Sequence, residues 1–138
     1  MSDLVRFGVS IETRLIEPFD RLIAKEGYTN RSEAFRDLIR ERLIRDEERR
    51  EGDMFGTLTL VYDHHQRGLD ARLNEIQHQA AGHVVSAVHV HIDPENCLLV
   101  LILRGPASAL RKVSGRLKAL HGVKHGSLSL TTTGSNLA

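Results

Sequence analysis

The amino-acid sequence predicts an α+β fold in two parts, a βαα segment followed by a βαββαβ domain. Apolar residues alternate over Leu4–Glu12 and then recur at helical spacing, whereas the later part alternates strand-like and helical runs. All eight histidines and the single cysteine lie after residue 63, so the two parts also differ in chemistry. We therefore expect one domain at 1–50, a linker at 51–56, a second domain at 57–133 and a tail at 134–138.

The first part reads as one strand and two helices. Leu4–Glu12 places its apolar side chains on one face, which is typical of a half-buried strand. A helical pattern follows and ends at Gly27, and Asn30 with Glu33 three residues later predicts the start of the next helix. Pro18 lies inside the first pattern, so that helix is expected to begin late or to be kinked.

About fifty residues bury too little surface to fold alone, and a single strand leaves both of its edges unpaired. A second copy of the chain solves both problems by forming a two-stranded antiparallel ribbon, which fits the DNA major groove. On that ribbon Arg6 suits a guanine edge and Ser10 can donate or accept, while the helix after Asn30 offers N–H groups to a phosphate. A dimerisation arm without a nucleic-acid role is the alternative, and the balanced charge of this segment favours it.

Composition excludes several classes of protein. Nineteen basic and eighteen acidic residues give a net charge of +1, unlike a chromatin-type protein or an acidic tail. The longest apolar runs, such as Cys97–Leu103, are too short to span a membrane, and no signal peptide is visible. One cysteine forms no internal disulfide, so we expect a protein of the reducing cytoplasm with no membrane partner.

The second part predicts a ferredoxin-like or ACT-like sheet with both helices on one face. The expected strands are Gly56–Tyr62, Val84–Ile92, Cys97–Leu103 and Gly126–Leu130, and the expected helices are Arg67–Gln79 and Ser108–Leu120. A strong turn signal, Asp93-Pro94-Glu95-Asn96, separates the second and third strands.

Histidines and the cysteine make a candidate metal site in this sheet. His89 and His91 lie on one strand face, about 7 Å apart. Cys97 can join them only if the intervening turn has odd parity, contains a bulge or frees Cys97 from the ladder. His78 ends the preceding helix roughly 20 Å away along the sheet, so it could join only from another subunit. The other histidines (His64, His65, His83, His121 and His125) are expected to be surface or structural residues, although a second metal site at His64 or His65 stays open.

Imidazoles with a thiolate select borderline transition metals over magnesium or calcium, without choosing among nickel, copper, zinc and cobalt. Four strong ligands leave no open position, and no acidic base accompanies the histidines, so an enzyme is not expected. Three alternatives remain: a regulator that senses an organic effector, a metalloenzyme, and an antitoxin that sequesters a partner.

Two resemblances sharpen these expectations. The stretch Gly27–Ala34 (GYTNRSEA), between the two helices, resembles the ribbon-helix-helix DNA-binding family. The array His78, His89, His91 and Cys97 on a βαββαβ domain behind such a module resembles the nickel-responsive transcriptional regulator family (NikR). That resemblance implies a homotetramer in which four metal-binding domains form a core flanked by two dimeric DNA-binding domains. It also implies one square-planar Ni(II) per subunit, held by His89, His91 and Cys97 of one subunit and His78 of another.

The resemblance further implies a repressor of nickel-uptake genes that binds a double-stranded DNA operator and takes no organic substrate. The residues that match family positions are Arg6, Gly8 and Ser10 for base reading, Arg67 for the DNA backbone, Glu33 and Asp37 for a K⁺ ion, and Tyr62 near the metal. Asn30 and Arg31 are expected to bind DNA because they lie at the start of the second helix, which offers N–H groups to a phosphate. Gly8 departs from the pattern because it has no side chain, so the middle reading position makes no hydroxyl contact.

Overall fold

The computed structural model describes residues 3–137 of the chain. Its contacts divide the chain into two units: the first comprises the residues up to Leu43 together with those from Asn136 onward, and the second spans Ile44–Ser135. The division falls inside a helix, seven residues before the domain end that the sequence suggested at residue 50. The proposed domain limits therefore stay a prediction.

The first unit is built on α1, Thr13–Lys25, and the beginning of α2, Arg31–Arg49. Helix α1 starts ahead of Pro18, which lies in its second turn where the missing N–H removes one helical hydrogen bond. Gly27, with φ of 91°, takes the left-handed conformation expected after a helix. The two helices meet through stacked rings of Phe19 and Phe35, whose centroids lie 5.5 Å apart.

The segment before α1 forms no strand within the described chain. Residues 3–12 are all exposed, and they enter no ladder with any other part of residues 3–137. The side chain of Phe7, for example, is 75% exposed. The predicted half-buried strand is therefore not present in the single chain as described, since a strand is stabilised by pairing and residues 3–12 pair with no other part of residues 3–137.

The second unit has the βαββαβ order that the sequence predicts. Its elements are β1 Asp53–Asp63, α3 Leu69–Gln79, β2 Val84–His91, β3 Asn96–Pro106, α4 Ala107–Lys118 and β4 Val123–Thr132. The strands form one sheet in the order β2-β3-β1-β4, and every neighbouring pair is antiparallel. Strand β1 begins at Asp53, inside the six residues expected to be a linker.

One face of this sheet carries the core and the other face is open. Leu58 of β1 and Leu99 and Leu101 of β3 are fully buried, and they pack with Leu73 of α3 and Leu110 of α4 in one cluster. Both helices therefore lie on the same face, as expected. The opposite face presents large apolar side chains to solvent, among them Val88, Val90 and Ile102.

The helices found in residues 3–137 are short or rich in charge. The longest of them, α2, has 19 residues with the sequence RSEAFRDLIRERLIRDEER. No described helix combines the length and the apolar character that a bilayer crossing needs.

Candidate metal centre and nucleic-acid interface

Strand register brings the candidate metal ligands to one end of the sheet. In the ladders of β3, Cys97 lies opposite Tyr62 of β1 on one side and opposite His91 of β2 on the other. Residues directly opposite each other in an antiparallel pair point to the same face. Cys97, Tyr62 and His91 therefore share the helix-covered face of the sheet.

The β2–β3 turn sets this register. Five residues separate His91 from Cys97, so the turn has the odd parity that a shared face requires. The Asp93 carboxylate accepts the backbone N–H groups of Glu95 and Asn96, each at 2.8 Å. The hydrogen bond from the Asn96 side chain is the main cause that holds the pKa of Asp93 below its usual value. The turn is thus closed by its own side chains, and Cys97 stays in the ladder.

Cys97 lies between two imidazoles. Its Sγ atom is 3.4 Å from Nδ1 of His64 and 3.4 Å from Nδ1 of His91. One donor atom from each of the three residues can be chosen so that all lie within 4.8 Å of one another. The thiol is buried, whereas both histidines are exposed and their rings meet edge-on with centroids 5.3 Å apart. Three donors thus converge on one point within a single chain.

His89 belongs to the same cavity but has a different neighbour. It lines a space of about 360 Å³ together with His64, His91 and Cys97. Its Nδ1 atom lies 3.3 Å from the hydroxyl of Tyr62, which is almost fully buried. Burial, followed by the negative charge of Asp70, raises the pKa of Tyr62 to about 12. The phenol is neutral at physiological pH and can orient the His89 ring, leaving Nε2 for a metal.

His78 lies outside this cavity. The residues of α3 that line the cavity are Asp70, Leu73 and Asn74, from the first half of the helix, whereas His78 is exposed near its end. This placement agrees with the expectation that His78 does not reach the ligands of its own chain. Of the four predicted ligands, His89, His91 and Cys97 thus line one cavity of the chain and His78 does not.

His64 is a site residue that sequence reasoning did not select. It follows β1 directly, and its backbone N–H donates to the Glu95 carbonyl at 2.7 Å, which ties it to the β2–β3 turn. His64 and Cys97 are 33 positions apart in the sequence, so only the pairing of β1 with β3 creates this proximity. In the sequence, the only indication of a role for His64 was the possibility of a second metal site at His64 or His65.

The donor set fits a borderline transition metal. Imidazole nitrogen and thiolate sulfur are ligands of zinc, nickel, copper and cobalt, whereas magnesium and calcium take oxygen ligands. Buried Cys97 supplies the sulfur, and His64, His89 and His91 supply nitrogens around the same cavity. The residues present therefore fit the metal class that the sequence predicts.

The candidate base-reading residues lie on the exposed N-terminal segment. Arg6, Gly8 and Ser10 are all exposed. A Cβ atom added at Gly8 would meet nothing within 4 Å, so packing in the single chain does not require glycine there. Arg6 lines an apolar groove of about 660 Å³ that lies between this segment and α2. No contact within the described chain fixes these side chains toward or away from DNA.

The start of α2 has the cap that the sequence predicts. The Asn30 side-chain oxygen accepts the backbone N–H of Glu33 at 2.9 Å. Arg31 donates two hydrogen bonds to Asp20, at 2.8 and 2.7 Å, so its guanidinium already binds a carboxylate of α1. These bonds are the first cause that holds the pKa of Asp20 below its usual value. A phosphate that approached the same N–H groups would have to compete with Asp20.

Arg67 does not open α3, which corrects the predicted helix Arg67–Gln79. The helix begins at Leu69, after Gly68 with a left-handed φ of 76°. A glycine in that conformation ends the preceding turn, and the helical hydrogen bonds start from its carbonyl, which accepts the N–H of Arg72 at 3.2 Å. Arg67 is thus an exposed loop residue whose carbonyl accepts a bond from the Arg72 side chain.

The two carboxylates of the predicted K⁺ site each have partners in the chain. Glu33 forms an ion pair with Arg36 at 3.2 Å. Asp37 accepts a short hydrogen bond from the hydroxyl of Tyr28 and pairs with Arg40 at 3.1 Å. The Tyr28 bond is the main reason that the pKa of Asp37 falls and that of Tyr28 rises to about 12. The K⁺ site stays a prediction.

Comparisons with known proteins match both parts of the chain. A family model described as the NikR C terminal nickel binding domain covers residues 55–131, and one described as ribbon-helix-helix protein, copG family, covers residues 5–46. The fold and the site thus define a DNA-binding transcription regulator with a metal-binding domain, not an enzyme. More than half of the chain matches the nickel-binding model alone. The chain belongs to the nickel-responsive regulator family (NikR).

Relatives over the full length agree with this assignment. The chain is 51% identical over 138 residues to proteins named "Putative nickel-responsive regulator" from Geobacter metallireducens and from Solibacter usitatus, with 99% of each chain covered. Among solved structures, an uncharacterized protein from Thermotoga maritima matches 56% of this chain and 96% of its own, with a TM-score of 0.52 and 20% identity. That last likeness is one of fold alone.

Proposed function

We propose that this chain is a nickel-dependent repressor of nickel-uptake genes. In this proposal one Ni(II) per subunit is bound by His89, His91 and Cys97 of one subunit and by His78 of another, and its binding raises affinity for a DNA operator. The observation that carries the proposal is the placement of Cys97 opposite His91, with His89 in the same cavity and His78 outside it.

A four-donor site of this kind suits sensing. Three nitrogens and one thiolate would fill a planar ion and leave no position for a reactive water, unlike catalytic metal sites. The free energy of metal binding is then available to join two subunits. Because His78 lies on α3, metal binding fixes that helix to the neighbouring subunit and biases the positions of the DNA-binding segments.

Exposed apolar surfaces support a homotetramer. The open face of the sheet carries Val88, Val90 and Ile102, which are 51%, 44% and 39% exposed. In the first unit Phe7 and Val9 are also mostly exposed, as expected of a segment that pairs with its copy. Contiguous apolar surface of this kind marks protein interfaces. We infer that the sheets form the tetramer core and that the N-terminal segments form two ribbons.

The ribbons would read the operator. Arg6 and Ser10 would meet base edges in the major groove, with Gly8 allowing close approach between them. Backbone N–H groups at Asn30 and Arg31, and the Arg67 side chain, would bind phosphates. A K⁺ ion at Glu33 and Asp37 would compete with the present partners of those carboxylates, Arg36, Arg40 and Tyr28. We place the protein in the cytoplasm, where nickel uptake is controlled.

A metal-titrated DNA mobility shift tests this proposal. Nickel, copper, zinc and cobalt are added in parallel to the parent protein and to Cys97→Ala, His89→Ala and His78→Ala. We expect nickel-dependent operator binding in the parent and its loss in all three variants, while sedimentation still finds tetramers. His125→Ala, an exposed histidine on the strand farthest from β2, is the control and should behave like the parent. Nickel response retained in any of the three ligand variants would contradict the assigned site.

A further inference from the structure

A second cavity of the second unit contains none of the candidate metal ligands. It lies between α4 and the edge strand β4, with Glu48 from the last turn of α2 at its wall, and its volume is about 640 Å³. Its lining residues all belong to the second unit, and none of them is a histidine or a cysteine. Cavities of this size commonly hold small molecules. We call it the α4–β4 cavity.

One face of α4 supplies this cavity with two cations and a hydroxyl. Arg111, Ser114 and Lys118 are spaced by three and four residues, so they lie on the same side of the helix. Arg111 forms an ion pair with Glu48, whereas no ion pair of Lys118 is found within residues 3–137. The stem of Lys118 lies against β4, because a Cβ atom added at Gly126 would be 2.6 Å from its Cδ atom. The cavity therefore has one positive charge without a counter-charge.

Ser114 has a hydroxyl that the fold leaves without a partner. The residue is 2% exposed, and its Oγ atom is the one buried side-chain oxygen or nitrogen in the described part of the chain that forms no hydrogen bond. Burial of an unpaired hydroxyl costs free energy, so buried polar groups nearly always have a partner. Because Ser114 lines the α4–β4 cavity, a molecule bound there would supply one.

Gly115 is the second residue of this helix face that the chain itself does not explain. Glycine inside a helix is less stable than alanine. Gly115 is absent from the glycines of positive φ, and a Cβ atom added to it would meet nothing within 4 Å. Neither the backbone conformation nor the packing therefore requires glycine there. Its missing side chain leaves the backbone of α4 open to the cavity that it lines.

We propose that the α4–β4 cavity binds a small organic carboxylate. The carboxylate accepts hydrogen bonds from the Ser114 hydroxyl and the Lys118 ammonium group, and its carbon chain lies over Gly115 against Leu128 and Leu130. The ion pair of Arg111 with Glu48 shows that a carboxylate is already accepted at this wall. The two leucines favour an organic acid over inorganic phosphate, which offers no apolar surface. No residue of this site belongs to the proposed nickel centre.

A titration of the metal-free, full-length protein with butyrate tests the site. The methyl resonances of Leu128 and Leu130 report on the cavity, and inorganic phosphate is titrated in parallel. We expect butyrate to shift both resonances saturably and phosphate to leave them in place. Lys118→Gln should weaken butyrate binding at least about 10-fold, because it removes a charged hydrogen-bond donor. Lys112→Gln is the matched control, since Lys112 is an exposed lysine of α4 that does not line the cavity.

Ser114→Ala and Gly115→Ala separate binding from folding. Both should lower butyrate affinity, the first by removing a donor and the second by filling the space over the helix. Both should also raise the urea midpoint without butyrate, because one removes an unpartnered hydroxyl and the other replaces a helical glycine. A lower midpoint for Ser114→Ala would mean that the hydroxyl serves the fold, and its assignment to the ligand would be wrong.

Three further results would overturn the proposal. These are an absence of shifts at Leu128 and Leu130, equal butyrate affinity in Lys118→Gln and Lys112→Gln, and phosphate binding as strong as that of butyrate. Lys118→Gln should keep the nickel affinity of the parent, so the carboxylate site and the nickel proposal can each fail alone. If nickel no longer promotes DNA binding in the parent but butyrate binding depends on Lys118, only the nickel proposal is wrong.

Discussion

The hydroxyl of Tyr62 provides a direct test of how the metal centre is oriented. Tyr62→Phe removes only this oxygen, which lies 3.3 Å from Nδ1 of His89, and it keeps the ring that is 2% exposed in the core. Without that partner the His89 ring is free to rotate, and Nε2 is no longer held toward the ion. The nickel site should weaken although none of its four ligands has changed.

The size of the effect follows from the role of this hydrogen bond. Removal of a hydrogen-bonding partner behind a metal ligand typically lowers metal affinity about 10- to 100-fold, which corresponds to about 1.4–2.7 kcal/mol. The free energy of unfolding should change less, because one buried neutral hydrogen bond contributes about 0.5–1.5 kcal/mol. The variant therefore separates metal affinity from stability.

Competition with a chelator of known nickel affinity measures the first quantity, and urea unfolding of the metal-free protein measures the second. Tyr28→Phe is the matched control, since the chain has two tyrosines and the Tyr28 hydroxyl bonds to Asp37 in the other unit. It should leave nickel affinity unchanged. Parent-like nickel affinity in Tyr62→Phe, or an equal loss in both variants, would refute the orienting role of Tyr62.

Four further substitutions test other parts of the molecule. Leu101→Ala should lower the free energy of unfolding by about 2–5 kcal/mol in urea titrations, because the side chain is fully buried. Ile102→Ala, on the open face of the sheet, should mainly weaken the association of subunits that sedimentation measures at low protein concentration. Asp20→Asn should lower the urea midpoint at pH 7. The difference from the parent should shrink toward pH 3, since a carboxyl with a lowered pKa stabilises above its ordinary pKa and loses that effect as pH falls. Arg6→Ala should reduce discrimination between operator and random DNA by about 1–3 kcal/mol in competition mobility shifts; undiminished selectivity would contradict the ribbon hypothesis.

Alternating apolar residues were sufficient to predict the second domain. Leu99, Leu101 and Leu103 all lie on the buried face of β3, as period two requires. The parity argument also held, because five residues between His91 and Cys97 place both on one face. Such features depend on neighbours in the sequence, and these are visible without a structure.

Features that depend on contacts between distant segments were not predictable. His64 joins Cys97 only because β1 pairs with β3, and nothing in the local sequence marks that register. Arg31 looked available for phosphate, but its partner Asp20 comes from the preceding helix. The strand expected at Leu4–Glu12 depends on a partner outside the chain, so a single chain does not form it.

The turn between β2 and β3 makes loop length a constraint in its own right. One residue inserted or deleted between His91 and Cys97 would rotate the thiol to the open face of the sheet, out of reach of every histidine in the cavity. An insertion or deletion of two residues would keep the Cys97 side chain on the same face of the sheet as His91. Substitutions within the loop should therefore be tolerated when they keep the hydrogen bonds that close the turn. Insertion or deletion of a single residue should instead abolish metal binding, although every ligand is still present.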